Sequence, residues 1–181
     1  MMSAVLQYIA FLVILVVLAV PLGKYSADVM DGNRVFLSPI LSPVEKLIYK
    51  LTGVRKDEEM TWKTYLICVL YFFFIGMAFL FVFQMLQDKL PFNPQNIDPM
   101  SWHLSFNTAA SFATNTNWQA YSGEGQLSYF SQFMGLTTQN FVSAATGIAV
   151  LYALVRAFVR AKKTTIGNFW VDMTRATLYI L

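Results

Sequence analysis

One stretch of four residues, 114–117, has the residue types and spacing that most directly suggest chemistry. Its sequence is Thr-Asn-Thr-Asn, which has no large apolar side chain and offers many oxygen atoms. Backbone carbonyls in such a stretch can replace the hydration shell of a monovalent cation, as they do in channel selectivity filters. Filters use glycine where the backbone needs a positive φ. This stretch has no glycine, so we predict that conformation for Asn115, because asparagine tolerates it better than most residues.

The residues before this stretch are predicted to form a short helix that positions it. Ser101 suits the N-cap, and residues 102–113 contain no helix breaker. Twelve residues make a helix of about 18 Å, roughly half the thickness of a bilayer. That length fits a re-entrant pore helix, whose negative C-terminal end would favour a cation at 114–117. The alternative is that 114–117 forms a surface turn or helix cap, where Thr and Asn are common.

Three long uncharged stretches surround these residues and predict membrane spans. They are residues 1–23, 64–87 and 126–155, and each is long enough to cross a hydrocarbon core of about 30 Å. Only 13% of the residues are charged, against about 25% in soluble domains. A secretory signal is the alternative for the first stretch, but its first residues carry no Lys or Arg, so a retained helix is favoured. The expected fold class is an all-α membrane protein.

The distribution of basic residues predicts the orientation of these spans. Of the 13 Lys and Arg residues, only Lys89 lies between the second and third spans. The others fall within residues 24–63 or after residue 155. By the positive-inside rule these two regions are cytoplasmic, and the amino terminus and the segment 88–125 face outward. Topology therefore explains the basic residues, and no nucleic-acid partner is expected.

Two further helical patterns each leave two interpretations open. Residues 43–51, with Ser42 as N-cap, have one apolar face, so this helix is expected either on the membrane surface or against the protein's own spans. In the third span, Gln139 and Ser143 share a face, and alanine recurs every four residues from 145 to 157. Small residues at this spacing favour close helix packing. The alternative for Gln139 is that it faces an aqueous path.

With these residues in view, the chain resembles the potassium-transporting ATPase A chain family, the potassium-binding subunits of the bacterial Kdp complex. The most specific match is NTAASFATNTNWQAYSGE at 107–124, followed by LSYFSQ at 127–132 and GLTTQNF at 135–141. A further match is SAATGIAV at 143–150. The resemblance covers the whole chain and corresponds to the amino-terminal third of the family's sequence.

The resemblance implies a potassium-channel-like architecture of four helix–pore–helix repeats around one filter, preceded by an extra helix. In those terms the chain divides into an N-terminal transmembrane helix at 1–23, a cytoplasmic loop with a short amphipathic helix at 24–63, a first repeat at 64–160, and a cytoplasmic linker with the start of the next transmembrane helix at 161–181. Within the first repeat, the pore helix would be 101–113 and the filter strand 114–117. The second repeat would begin near Thr174.

The resemblance also implies roles for individual residues. Potassium would bind at Thr114, Asn115 and Thr116, and Asn117 would complete the first of four filter strands. Gln119 would line the ion entrance. From the sequence itself, Trp118 and Trp102 bracket the helix and the filter stretch. They are expected either at the membrane interface, where Trp is typical, or as support packed around the filter. The family's other repeats carry glycine at the position of Asn115, so the absence of glycine here agrees with a first repeat.

The function implied is a potassium-translocating pore subunit of an ATP-driven uptake system in the bacterial inner membrane. The chain contains no phosphate-binding loop motif, so it is not expected to be an enzyme by itself. ATP hydrolysis would belong to the catalytic P-type ATPase B subunit, with the C and F subunits and membrane lipid as further partners. Potassium is the expected ion, and no organic cofactor is expected.

Two other functions remain open because one filter strand cannot encircle an ion. The chain could be a membrane assembly or regulatory protein that does not transport, or a subunit of a passive potassium channel or symporter. Since the family's sequence is considerably longer, the chain is expected to be a natural truncation or a deliberately shortened one that does not conduct alone.

Overall fold

The computed structural model describes residues 2–160 and 163–181, which form helices joined by short loops. The helices in chain order are α1 (Met2–Asp31), α2 (Ser38–Thr52), α3 (Trp62–Met85), a 3₁₀ turn (Gln87–Lys89), α4 (Trp102–Ala113), α5 (Gly123–Gln126), a π-helical segment (Ser131–Thr137), α6 (Thr138–Val159), α7 (Phe169–Arg175) and a second π-helical segment (Ala176–Ile180). Within the described residues, extended pairing is limited to one bridge between Thr61 and Thr165. The predicted linker residues 161–162 lie outside the described residues.

Three helices are long and apolar enough to cross a membrane: Ala4–Asp31, Trp62–Met85 and Ser131–Val159. The chain is therefore an all-α membrane protein, as predicted. The first helix runs eight residues beyond the predicted end at 23. The prediction placed that end at the first charged side chain, but charge does not stop a helix. The helix ends instead where Gly32 adopts a left-handed φ of 80°.

The predicted starts of two helices, α2 and the last helix, are wrong. Helix α2 begins at Ser38, not at Pro43, and Ser42 is not its N-cap. Pro39 lies in the first turn, where a helix tolerates proline, and Pro43 is accommodated one turn later inside the helix. The last helix begins at Phe169 rather than near Thr174, because the Asn168 side chain caps it by accepting from two backbone N–H groups.

Small residues let α6 pack closely against its neighbours. Ala145, Ala149 and Ala153 are buried, which confirms the packing interpretation for these three, whereas Ala157 at the end of the ladder is exposed. Gln139 is buried as well and lies against Gly76 of α3, where a Cβ atom would come within 2.9 Å of its amide. In this structure the Gln139 side chain therefore packs between helices.

A buried ion pair joins four helices at the end of the bundle that carries the basic loops, which we call the basic end. Arg156 donates to both carboxylate oxygens of Asp172, at 2.6 and 2.9 Å. Its guanidinium also donates to the carbonyl of Met30 at the end of α1. Tyr65 of α3 donates to the same carboxylate at 3.0 Å. Arg156 was predicted only as one of many cytoplasmic basic residues, so its structural role was missed.

Replacing Arg156 by Ala is expected to destabilise the protein by about 3–5 kcal/mol, because Asp172 would stay buried without its partner. Arg160→Ala is the matched control. Arg160 pairs with Glu59 at 2.8 Å, but both side chains are about a third exposed, so its loss should cost about 0–1 kcal/mol. Thermal unfolding followed by circular dichroism in detergent measures both. Equal losses in the two variants would contradict this account of the ion pair.

Helix α2 is held to the end of the chain by the carboxylate of Glu45. This group accepts hydrogen bonds from the hydroxyls of Tyr49 and Tyr179, each at 2.8 Å, and from Nε of Arg175 at 3.1 Å. Burial alone would raise the pKa of Glu45, but these three hydrogen bonds and the charge of Arg175 together lower it below its ordinary value. The carboxylate therefore fixes one face of α2 against the last helix.

The lowered pKa of Glu45 predicts how this contact depends on pH. Its contribution to stability should be complete above the unfolded pKa of about 4.3 and should be lost as the pH falls through the lower folded pKa. The difference in unfolding temperature between the native chain and Glu45→Gln should therefore shrink as acid is added below that range. A difference that stays constant from neutral to acid pH would show that the carboxylate charge is not what holds α2.

Candidate ion-binding site

Helix α4 lies between the second and third long helices and has the bounds predicted for it, Trp102–Ala113. Ser101 occupies the N-cap position, but its side chain makes no capping hydrogen bond, so the predicted role of its hydroxyl is wrong. Ser105, Thr108 and Ala109 are fully buried. Such small side chains let α4 approach α3. Leu80 of α3 and Phe112 of α4 belong to one apolar cluster.

The amide of Gln87 holds the segments before and after α4 together. Its Nε2 donates to the carbonyls of Asp98 at 2.7 Å and Gln126 at 2.9 Å, and its Oε1 accepts from the N–H of Ser128 at 3.1 Å. Gln87 is fully buried. This role of Gln87 was not predicted from the sequence. The available signal was a polar side chain at the end of an otherwise apolar run.

The C-terminal end of α4 turns sharply at Asn115. The N–H of Asn115 donates to the carbonyl of Phe112 at 3.3 Å, and the N–H of Thr116 donates to the carbonyl of Ser111 at 3.0 Å. This pair of bonds is the Schellman arrangement, which needs a left-handed residue directly after the C-cap. Asn115 has a φ of 60°, which confirms the predicted conformation. Asn117 also has a positive φ, 56°, which was not predicted.

The threonine hydroxyls of this turn point back toward the helix. Thr114 Oγ1 donates to the carbonyl of Ala110 at 2.9 Å, and Thr116 Oγ1 donates to the carbonyl of Ser111 at 3.1 Å. The amide oxygen of Asn115 accepts from the hydroxyl of Ser143 on α6 at 3.3 Å. These side chains therefore brace the turn against α4 and α6.

The backbone carbonyls of residues 114–117 take no part in these hydrogen bonds. Within residues 2–160 and 163–181, no backbone or side-chain donor forms a hydrogen bond with any of these four oxygens. The four residues are exposed, and they lie at the negative end of the α4 dipole. No group of three His, Cys, Asp or Glu side chains suited to a metal occurs in the part of the chain that the structure describes. The oxygens at this turn suit a weakly held monovalent cation.

The other predicted site residues lie around the turn but are not gathered onto it. Gln119 is exposed and lines an open cavity of about 200 Å³ together with Phe112 and Asn140. Trp118 is 78% exposed and Trp102 is 58% exposed. Because so much of each indole is free of this chain, their role in supporting a filter stays a prediction.

The fold and the site together define a class of protein. It is an all-α membrane protein in which a twelve-residue helix between two long apolar helices ends in a turn whose carbonyls have no hydrogen-bond partner among the described residues. The model of the family described as "KdpA: Potassium-transporting ATPase A subunit" matches residues 9–181. The chain belongs to this family.

Curated relatives agree with this assignment over the whole length of the chain. A protein of Clostridium botulinum (strain Eklund 17B / Type B) is 57% identical over 181 residues, which is 100% of this chain and 31% of the relative. A Geobacter metallireducens protein is 53% identical over 97% of this chain and 30% of its own length. Both are named potassium-transporting ATPase potassium-binding subunit. The chain thus spans about a third of the length of these relatives.

Two substitutions at Asn115 should separate the need for its backbone conformation from the need for its side chain. Asn115→Gly keeps the left-handed turn accessible and should change stability little. Asn115→Val forces a β-branched residue into that region and should cost about 1–2 kcal/mol. Thermal unfolding of the two variants in detergent measures the difference. If glycine and valine were equally destabilising, the side-chain contact with Ser143 rather than the backbone would be the determinant.

Proposed function

We propose that this chain supplies the first filter strand of a potassium-translocating pore in an ATP-driven uptake system. The observation that carries the proposal is the end of α4, where Asn115 is left-handed and the carbonyls of residues 114–117 have no hydrogen-bond partner among the described residues. Potassium would bind at Thr114, Asn115 and Thr116, with Asn117 completing the strand. Membership of the family and the names of the relatives support potassium as the transported ion.

Selection in this proposal depends on backbone oxygens rather than on charged side chains. Carbonyl dipoles can replace the hydration shell of potassium, whereas hydroxyls that already donate to the helix are less free to reorient. One strand presents its oxygens from one side only, so the remaining strands would come from further helix–pore–helix repeats. Gln119 would then lie at the ion entrance, and Trp102 and Trp118 would pack against neighbouring repeats.

The partners in this proposal follow from the same assignment. The relatives' names describe a subunit of an ATPase, so ATP would be hydrolysed on a separate catalytic P-type ATPase B subunit, with the C and F subunits beside it. No organic cofactor is proposed. A membrane assembly role without transport, or a passive channel or symporter, are the alternatives. The turn at Asn115 favours ion binding over a purely structural role, and the family favours the pump.

The orientation we propose places the basic end in the bacterial cytoplasm and the amino terminus outside, in the inner membrane. Both basic regions do lie at one end of the bundle. The N–H of Met60 donates to the carbonyl of Gly167 at 2.7 Å, and Arg160 reaches Glu59. Residues 114–117 would then face the outer half of the membrane, where an imported ion arrives.

Substituting Asn115 by Asp tests the ion site. An added charge beside the free carbonyls should change the apparent potassium affinity or the preference for potassium over other cations, because it alters the field at the oxygens. The measurement is potassium-dependent ATPase activity of the assembled complex with the substitution in the full-length protein. The matched control is Asn96→Asp, since Asn96 also has a left-handed φ, 51°, and is exposed, but lies in the loop before α4. Potassium dependence identical in the two variants would refute the assignment.

A further inference from the structure

Helix α2 carries a row of exposed apolar side chains that nothing in the ion site uses. Ile40, Val44, Leu47 and Leu51 are between 42% and 77% exposed. Their spacing of i, i+4, i+7 and i+11 places them along one face of the helix. We call this row the outer stripe. Four large apolar side chains on one exposed face require something to cover them.

The orientation of α2 is fixed by a different face, so the outer stripe cannot turn inward. On that face Tyr49 is buried, Leu41 packs against the cluster of Val29 and Tyr179, and Glu45 accepts the three hydrogen bonds described above. At about 100° per residue, this face lies roughly 130° around the helix from the outer stripe. The stripe therefore points away from the protein's own packed residues.

A third face of α2 is basic. Lys46 and Lys50 are exposed and lie roughly 110° from the outer stripe on its other side. A helix with an apolar face bordered by lysines is typical of the membrane interface, where the lysine stems extend toward lipid headgroups. The negative headgroups of anionic lipid complement this charge.

The residues before the outer stripe also expose apolar side chains. Phe36, just before α2, is 77% exposed and packs its ring 5.4 Å from that of Tyr25 on α1. On the amino-terminal side of Tyr25, the large apolar side chains of α1 from Val5 to Leu22 are exposed, as expected of a membrane span. Exposed apolar side chains therefore occur on α1, at Phe36 and along the outer stripe. Lipid would cover all of them, whereas a partner protein seated on the stripe would cover only part of them.

We propose that α2 lies in the lipid interface at the basic end, with the outer stripe among the acyl chains and Lys46 and Lys50 at anionic phospholipid headgroups. The helix would then fix the depth of the basic end in the bilayer, because Glu45 and Tyr49 join it rigidly to the last helix. The proposal does not depend on the ion site at 114–117.

Nitroxide labels on introduced cysteines test this placement. Val44→Cys and Leu47→Cys report on the stripe. Lys46→Cys and Lys50→Cys, on the basic face of the same helix, are the matched controls, and all four are made in a Cys68→Ala background. The protein, purified with any subunits that accompany it, is reconstituted into vesicles of phosphatidylethanolamine and phosphatidylglycerol. The ratio of collisions with oxygen to collisions with a water-soluble nickel chelate should be several-fold higher at the stripe than at the lysine positions.

Two other results would overturn the proposal. Stripe labels shielded from both reagents would show that protein covers the stripe, either another part of the molecule or a partner subunit. Stripe labels more accessible to the nickel chelate would show that α2 lies in water. All four positions are exposed and outside the packed clusters, so the variants should fold; retained circular dichroism and unfolding temperature check this.

A charge reversal tests the part played by the lysines. Combining Lys46→Glu with Lys50→Glu should lower the oxygen-to-nickel ratio at a Leu47→Cys label in vesicles that contain phosphatidylglycerol. The ratio should change much less in pure phosphatidylcholine, which has no net charge. An equal change in the two lipids, or none in either, would refute the contact with anionic headgroups.

Discussion

The structure around residues 114–117 depends on how helix α4 ends. Each carbonyl of the last turn needs a partner, and hydrocarbon provides none. Groups just after helix α4 satisfy several carbonyls of its last turn. The N–H groups of Asn115 and Thr116 and the hydroxyls of Thr114 and Thr116 donate hydrogen bonds to these carbonyls. The carbonyls of residues 114–117 then become the unpartnered groups. Satisfying the helix end thus creates a line of free oxygens, which is the chemical requirement for binding a dehydrated cation.

Such a turn keeps its shape only if the helix that carries it cannot shift. Gln87 connects the segments on both sides of α4 through three hydrogen bonds, and Ser143 holds the Asn115 side chain to α6. At the basic end, the pair of Arg156 and Asp172 joins α6 to the helices around it. The contacts of Gln87 and of Arg156 with Asp172 therefore lie at opposite ends of the bundle, and the contact of Asn115 with Ser143 lies between them.

Local chemistry explains which of these features could be predicted from the sequence. Helix α4 and the left-handed Asn115 follow from nearby residues: residues 102–113 contain no helix breaker, and asparagine tolerates positive φ better than most residues other than glycine. The start of α2 was misplaced because two prolines, 39 and 43, both suit a first turn, and only packing chooses between them. The Arg156–Asp172 pair could not be predicted from neighbouring residues, because the groups that meet there are far apart in the sequence. Tyr65, for example, lies 107 residues from Asp172.

The free carbonyls also argue that residues 114–117 require other strands or water. An unsatisfied buried carbonyl costs about 1–3 kcal/mol, so four of them facing hydrocarbon would cost about as much as the whole stability of a small domain. The turn is compatible with membrane depth only if it borders an aqueous or ion-filled space. Asn115 and Asn117 both have a positive φ and polar side chains. Large apolar side chains at these positions would exclude water from that space. If the proposed placement of residues 114–117 at membrane depth is correct, a water-filled or ion-filled space must therefore border α4.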